Sequence, residues 1–206
     1  MVSRYTLILL LGILLVGCRP VQAPPTVTPV ISSPGGIEAT ATPIAPTASS
    51  DAAVLIRNAQ YQLGVPDSLQ VVQLQDGKFE QGAAGGPDHI SVTLTNFAAI
   101  GDLDGDSKDE IAALLSENFG GSGVFVFLAI YEIANGTATF LTSSVVDDRS
   151  QLNALTIEND EVFLDSIIHG FDDPMCCPTL HTTRHYRLVN DQLDLSDYAT
   201  FTPDGR

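Results

Sequence analysis

The chain has no tryptophan, few basic side chains and few cysteines. Among its 206 residues, 25 are Asp or Glu and only 9 are Lys or Arg, so the formal net charge is −16. Such a surface repels phosphate backbones and anionic headgroups, which argues against nucleic-acid binding and against peripheral docking on a membrane. We therefore expect no nucleic-acid partner. The charge suits cations, or solubility outside the cell.

Cysteine is too scarce to build the fold. The three cysteines are Cys18, near the start of the chain, and the adjacent pair Cys176 and Cys177. Small secreted domains that are held together by disulfides have several cysteines spaced along the chain, and this chain lacks such a pattern. Its hydrophobic residues make up 44%, which is enough for one ordinary core.

The first 17 residues are predicted to form a lipoprotein signal peptide. Arg4 supplies a positive charge, and residues 7–16 form an apolar run that is too short to span a bilayer. The run ends in Leu15-Val16-Gly17-Cys18, which resembles a bacterial lipobox. The resemblance implies that a diacylglycerol alkylates the Cys18 thiol and that cleavage occurs just before it. The protein would then be anchored by lipid to the extracytoplasmic face of a membrane, inner or outer.

Residues 18–50 are predicted to be a disordered tether that begins with the lipidated cysteine. The segment is rich in Pro, Thr, Ala and Ser and holds seven of the 12 prolines. Proline fixes φ and removes a backbone donor, and few large apolar groups are available to bury, so polyproline-II character is expected. Loss of Arg4 with the leader leaves 25 acidic and 8 basic side chains, which brings the net charge of the mature form to −17.

Residues 51–206 are predicted to form a single mainly β domain of the α+β class. An amphipathic helix is expected over 51–63, followed by an antiparallel meander sheet or a sandwich, because short turn signals such as Asn135-Gly136 and Asn159-Asp160 separate the apolar runs. The run 123–131 is apolar on both faces and should be central. The strands are expected over 68–75, 89–100, 110–117, 123–133, 137–145, 153–158, 161–168, 182–188 and 193–198.

An aspartate-rich loop over 101–110 points to a hard cation. Asp102, Asp104, Asp106 and Glu110 stand at positions 1, 3, 5 and 9 of the loop, and the backbone carbonyl of Lys108 at position 7 would add a ligand. Calcium prefers six to eight oxygen ligands, and crowded carboxylates repel one another without a cation. No phosphate-binding element accompanies the loop, which favours calcium over magnesium. An acidic surface turn that binds nothing is the alternative.

The segment 100–130 resembles the FG-GAP/VCBS repeats of integrin-like extracellular propellers. Its sequence IGDLDGDSKDEIAALL followed by GSGVFVFLAI matches a strand that enters a DxDGDG calcium loop and is followed by a hairpin. The resemblance implies calcium ligation by the loop residues. It does not extend to a propeller, because only one such unit is present. The chain is also similar to small bacterial lipoproteins that pair a DxDGDG loop with a DPxCCP turn, a likeness that implies no function.

The cysteine pair lies in a predicted loop, Asp172-Asp173-Pro174-Met175-Cys176-Cys177-Pro178. Three interpretations are open. Cys176 and Cys177 form a vicinal disulfide, which an oxidising compartment would favour. Alternatively, Cys177, His181 and His185, with Cys176 or His169, bind a metal such as zinc or copper. In the third interpretation they are two thiols in a turn.

Catalytic signals are weak. Gly120-Gly121-Ser122-Gly123 resembles a nucleophile elbow, but Val124 stands where the last glycine belongs and the segment joins two strands, which indicates a turn.

The leading hypothesis is a lipid-anchored, calcium-stabilised domain that is not an enzyme and binds an extracellular or envelope ligand. The rival hypotheses are an envelope protein that uses the vicinal cysteines for thiol redox or metal handling, and an envelope hydrolase built on aspartates.

Overall fold

The computed structural model describes residues 50–64 and 70–201, without the side chains of residues 50 and 51. The predicted signal peptide, Cys18 and the tether up to residue 49 lie outside these residues. The described chain begins with α1 (Ser50–Ile56) and continues in strands: β1 (Gln60–Gln62), β2 (Val71–Gln73), β3 (Lys78–Gln81), β4 (Ile90–Gly101), β5 (Glu110–Asn118), β6 (Phe125–Ala134), β7 (Thr137–Asp148), β8 (Gln151–Glu158), β9 (Glu161–Ile168), β10 (Leu180–Val189) and β11 (Gln192–Phe201).

The strands form three antiparallel sheets. A five-stranded sheet has the order β3-β4-β5-β6-β7, a four-stranded sheet has the order β11-β10-β9-β8, and β1 pairs with β2. In β6-β7, β8-β9 and β10-β11, the paired strands are joined by two-residue turns. At Asn135-Gly136, Asn159-Asp160 and Asn190-Asp191 both residues have positive φ, between 51° and 76°. That conformation gives the turn a twist that matches the twist of the paired strands, and Asn, Asp and Gly adopt it most easily. The prediction of a mainly β, antiparallel fold is confirmed.

The five-stranded sheet lies in the middle of three layers. On β5, Ile111, Ala113 and Leu115 face a core that they share with α1, β1 and β2. Ala112 and Leu114, which alternate with them, face a second core shared with the four-stranded sheet. Successive side chains of a strand point to opposite faces, so a strand that is apolar throughout needs a layer on each side. The prediction that the run 123–131 is central is confirmed for residues 126–131, which are buried in β6 between β5 and β7, whereas Val124 and Phe125 are exposed.

The predicted helix over 51–63 is wrong in its second half. The helix ends at Ile56, and Gln60–Gln62 pair with β2. The apolar residues Ala59, Tyr61 and Leu63 are 7%, 0% and 2% exposed, which is the two-residue period of a strand. The short strand β3 was not predicted, because its four residues are polar except for Phe79.

The two loops singled out by the sequence lie at opposite ends of β9. The aspartate loop joins β4 to β5 and lines a groove with the turn Asn159-Asp160, which precedes β9. The loop 169–179, which holds the cysteine pair, follows β9. Eight residues of strand span about 27 Å. The two loops are therefore separate regions of the surface.

Candidate functional site

The aspartate loop is bent tightly by two residues with left-handed backbone. Gly105 has a φ of 79° and Ser107 a φ of 68°. Glycine adopts this conformation without steric cost, whereas serine does so at some cost, so the fold of the loop has to hold Ser107 in place. The bend brings the side chains of the first, third and fifth positions of the loop to the same side.

Three carboxylates of the loop converge. One oxygen from each of Asp102, Asp104 and Asp106 lies within 4.8 Å of the other two, and these three form the one such group of His, Cys, Asp or Glu side chains within residues 50–64 and 70–201. Asp104 and Asp106 are exposed and Asp102 is half-buried. The carboxylates are therefore open to solvent and close enough together to share one cation.

Backbone N–H groups of the loop hold these carboxylates in position. Gly105 N donates to Asp102 Oδ1 at 2.7 Å and Ser107 N donates to Asp102 Oδ2 at 2.9 Å. The other two aspartates accept in a similar way, since Asp106 N donates to Asp104 Oδ1 at 2.9 Å and Lys108 N donates to Asp106 Oδ1 at 2.8 Å. Each aspartate thus anchors the backbone that follows it, and the carboxylates are oriented by the loop itself.

Lys108 supplies a positive charge to the cluster. Its Nζ forms an ion pair with Asp106 and lies 3.9 Å from Glu132 Oε1. The hydrogen bond from this ammonium, together with the bond from the Lys108 backbone N–H, holds the pKa of Asp106 below its usual value. An exposed lysine is a mobile counter-charge, so a divalent ion can displace it without breaking any packing.

Glu110 is not part of the converging group. Its side chain turns into the interior, where it is 2% exposed and its Oε2 accepts a hydrogen bond of 2.8 Å from Leu103 N. Burial raises the pKa of the Glu110 carboxyl, and the negative charges of the three aspartates add to the rise. In this position Glu110 ties the start of the loop to the start of β5.

Among the grooves of the described residues, two bear on ligand binding. One of about 290 Å³ lies beside the aspartate loop and is lined by Asp104, the turn Asn159-Asp160 and Arg187, among others. Another, of about 510 Å³, is lined by parts of β1, β2 and β7 and has no charged side chain. Its polar lining consists of four amides and two hydroxyls: Asn58, Gln60, Gln62, Gln73, Thr137 and Thr139. Such groups both donate and accept hydrogen bonds, which suits a neutral polar ligand.

Cys176 and Cys177 are joined as a disulfide in the loop between β9 and β10, and both are exposed. The histidines of the metal interpretation do not join them in any group of donors within the part of the chain that the structure describes. His181 and His185 are on β10 and contact tilted rings of neighbouring strands, His185 with Phe163 at 4.3 Å and His181 with Phe201 at 5.4 Å between ring centroids. The metal interpretation of this set therefore has no geometric support.

The elbow-like segment is a strand-to-strand connection, as its sequence indicates. Asn118 closes it, because the side-chain amide donates to Gly121 O at 2.9 Å and to Gly123 O at 2.6 Å. Gly120 N donates back to Asn118 Oδ1 at 3.0 Å. Since no helix follows, Ser122 lacks the strand-to-helix setting of a hydrolase nucleophile.

Sequence reasoning missed a buried polar pair in the core under α1. Glu117 and Tyr61 are both 0% exposed, and the phenol of Tyr61 donates to Glu117 Oε1. Gly64 N donates to the same oxygen at 3.1 Å. The signal was present, because Glu117 continues the two-residue spacing of Ile111, Ala113 and Leu115 on the inner face of β5.

Within the described residues, no helix is long and apolar enough to cross a membrane. Scans of the chain against models of known protein families, curated protein sequences and solved structures found no match.

Proposed function

We propose that this chain is a lipid-anchored domain on the extracytoplasmic face of a membrane, that calcium stabilises it, and that it binds an envelope or extracellular ligand without catalysing a reaction. The observation that carries the calcium part is the convergence of the Asp102, Asp104 and Asp106 carboxylates within 4.8 Å of one another. Three like charges at that separation repel one another, and a divalent cation converts the repulsion into attraction.

The donor set fits calcium better than a softer metal. The three aspartates would hold the ion with carboxylate oxygens, and the backbone carbonyl of Lys108 would add another oxygen. No Cys or His belongs to the cluster, so the ligand set is all oxygen, which hard cations prefer. Glu110 would support the site from the interior through its hydrogen bond to Leu103. Bound calcium would fix the corner between β4 and β5 and neutralise part of the net charge.

The binding role rests on the surface and the anchor. The groove beside β1, β2 and β7 is free of charged side chains, although the chain carries a net charge of −16. A neutral polar ligand is therefore the chemistry that this groove favours, while the acidic remainder of the surface keeps nucleic acid away. The lipobox-like Cys18 and the proline-rich segment after it would hold the domain at a distance from the membrane.

Calcium at about 10 mM is expected to raise the melting temperature of the domain by about 4 °C over a chelator. This follows from a millimolar dissociation constant typical of extracellular modules and from mass action. Asp104→Ala should abolish the rise, because it removes one of the three converging carboxylates. Differential scanning calorimetry measures both effects.

Asp109→Ala is the matched control, since Asp109 lies in the same loop and is exposed but is not part of the cluster. It should keep the rise in melting temperature. Equal melting of the unmodified protein in calcium and in chelator would refute the calcium site. An equal loss in both variants would show that bulk charge, and not ligation, causes the effect.

Cys18→Ser is expected to move the protein from the membrane fraction to the soluble fraction almost completely, because two acyl chains supply the membrane affinity. Fractionation of cells followed by immunoblotting of the tagged protein measures the distribution. Cys176→Ser is the control, and this variant should stay with the membrane. A Cys18→Ser variant that remained membrane-bound would contradict the lipid anchor.

A further inference from the structure

Hydrogen bonds at the two ends of the loop 169–179 hold the segment that contains the disulfide. Asp173 ties the two ends of the loop together, because its Oδ2 accepts from Gly170 N at 2.8 Å and from Thr179 N at 2.7 Å, and its Oδ1 accepts from Thr179 Oγ1 at 2.8 Å. These hydrogen bonds hold the pKa of Asp173 below its usual value. Cys177 N donates to Pro174 O at 2.9 Å within the apex. The loop is thus held by hydrogen bonds that do not involve the sulfurs.

The Cys176–Cys177 bond contributes little to folding. A disulfide stabilises a protein mainly by closing a long loop in the unfolded chain, and a bond between neighbours closes none. The cysteines are exposed and belong to neither core, and Phe171 and Met175 in the same loop are also exposed, although Pro178 beside them is buried. Breaking this bond should therefore leave the fold intact.

Two basic groups lie against the residue that precedes the pair. An Arg149 Nη2–H donates to Met175 Sδ at 3.7 Å, and His169 Nε2 lies 3.3 Å from Met175 O. The guanidinium is held in place by Asp148, and its Nε is buried without a hydrogen-bond partner. In a chain with only 9 Lys and Arg residues, this is an unusual setting for an exposed disulfide. A guanidinium near cysteine favours the thiolate, which is the form that reacts.

We propose that Cys176–Cys177 is a reactive disulfide that exchanges with an external dithiol while the domain stays folded. A thiolate of the dithiol attacks one sulfur, the Cys176–Cys177 bond breaks, and the released cysteine leaves as a thiolate that takes up a proton. The second thiol of the reagent then attacks the mixed disulfide and frees the other cysteine. The dithiol ends as a disulfide, and the protein gains two electrons and two protons. The exchange is independent of calcium, because the aspartate loop lies at the other end of β9.

The test uses the full chain in detergent with millimolar dithiothreitol as the dithiol, without denaturant. Alkylation followed by peptide mass spectrometry counts free thiols at Cys176 and Cys177 separately from Cys18. We expect both thiols to appear while the melting temperature changes by less than about 2 °C, and to disappear again when the dithiothreitol is removed and oxidised glutathione is added. A disulfide that is reduced only after unfolding in urea would overturn the proposal. A reduction that itself unfolds the domain would also overturn it.

Arg149 is a positioning residue in this proposal and has its own test. Arg149→Gln should slow the reduction about threefold or more, because the attacking and leaving thiolates lose a nearby positive charge. Arg149→Lys should restore most of the rate, which a purely structural role would not. Arg57→Gln is the control for net charge, since Arg57 is exposed and belongs to the helix layer. An equal rate in the Arg149→Gln and Arg57→Gln variants would overturn the role of Arg149.

Discussion

Replacing Glu117 by alanine is expected to lower the free energy of unfolding by about 3 to 4 kcal/mol. Glu117 is 0% exposed and accepts hydrogen bonds from the phenol of Tyr61 and from Gly64 N. Alanine would remove the acceptor that both donors share and open a cavity under the segment that follows α1. The lost acceptor and the cavity each destabilise the folded state, which accounts for the size of the expected loss. Urea unfolding followed by fluorescence of the tyrosines measures the loss.

Glu117→Gln separates the charge of this carboxyl from its shape. Glutamine keeps the volume and one acceptor oxygen, so we expect a loss of only about 1 kcal/mol. Burial raises the pKa of Glu117 above its ordinary value of 4.5, although the bonds from Tyr61 and Gly64 oppose the rise. The folded state therefore binds the proton more tightly than the unfolded state does, and the stability contributed by Glu117 falls as the pH rises above 4.5. The amide of glutamine does not titrate, so this variant lacks that pH dependence.

The unfolding free energy of the unmodified protein minus that of Glu117→Gln should thus decrease from pH 4 to pH 8. Taking the difference removes the titration of the other acidic groups, which both proteins share. A difference that stayed constant, or that increased with pH, would contradict the proposed environment of the carboxyl. An alanine variant as stable as the glutamine variant would show that the hydrogen bonds to Tyr61 and Gly64 contribute little.

The strands of the two large sheets were largely predictable because their signals are local. Turns such as Asn135-Gly136 and Asn190-Asp191 need a backbone conformation that few residues adopt, so their positions mark the strand ends. The strand Glu161–Ile168 was predicted with its observed bounds. The aspartate loop was also visible, since Asp102, Asp104 and Asp106 alternate along the sequence and Glu110 follows at position 9 of the loop. The turns and the aspartate loop depend on neighbouring residues, so they can be predicted from the sequence.

Features that could not be predicted from the sequence include those that depend on residues far away along the chain. Gln60–Gln62 form a strand because β2 pairs with them and Glu117 accepts from Tyr61, and that carboxylate lies 56 positions further along the chain. The turning of Glu110 into the interior, where it accepts a hydrogen bond from Leu103 N, was also missed, because the alternation of acidic residues does not state which of them is buried. The three interpretations of the cysteine pair stayed open because the positions of His181 and His185 depend on the register of β10 with its neighbours.

Gly64→Ala is expected to destabilise the domain by about 3 kcal/mol, although the substitution adds a single methyl group. A Cβ at this position would lie 2.0 Å from Cε1 and 2.4 Å from Cδ1 of Phe127. The ring has little room to move away, because Phe127 is 5% exposed and belongs to β6, in the middle of the fold. The segment must then lift from the sheet, which also lengthens the hydrogen bond from Gly64 N to Glu117.

A double-mutant cycle with Phe127→Leu tests this cause. Leucine shortens the side chain that the new methyl group meets, so the cost of Gly64→Ala should fall by about 1 kcal/mol or more in that background. Gly121→Ala is the matched control, because a Cβ there meets nothing within 4 Å and Gly121 does not have a left-handed φ. It should change stability by less than about 0.5 kcal/mol. If Gly64→Ala cost the same in both backgrounds, steric contact with Phe127 would not be the reason, and the close packing of this segment on β6 would have to be rejected.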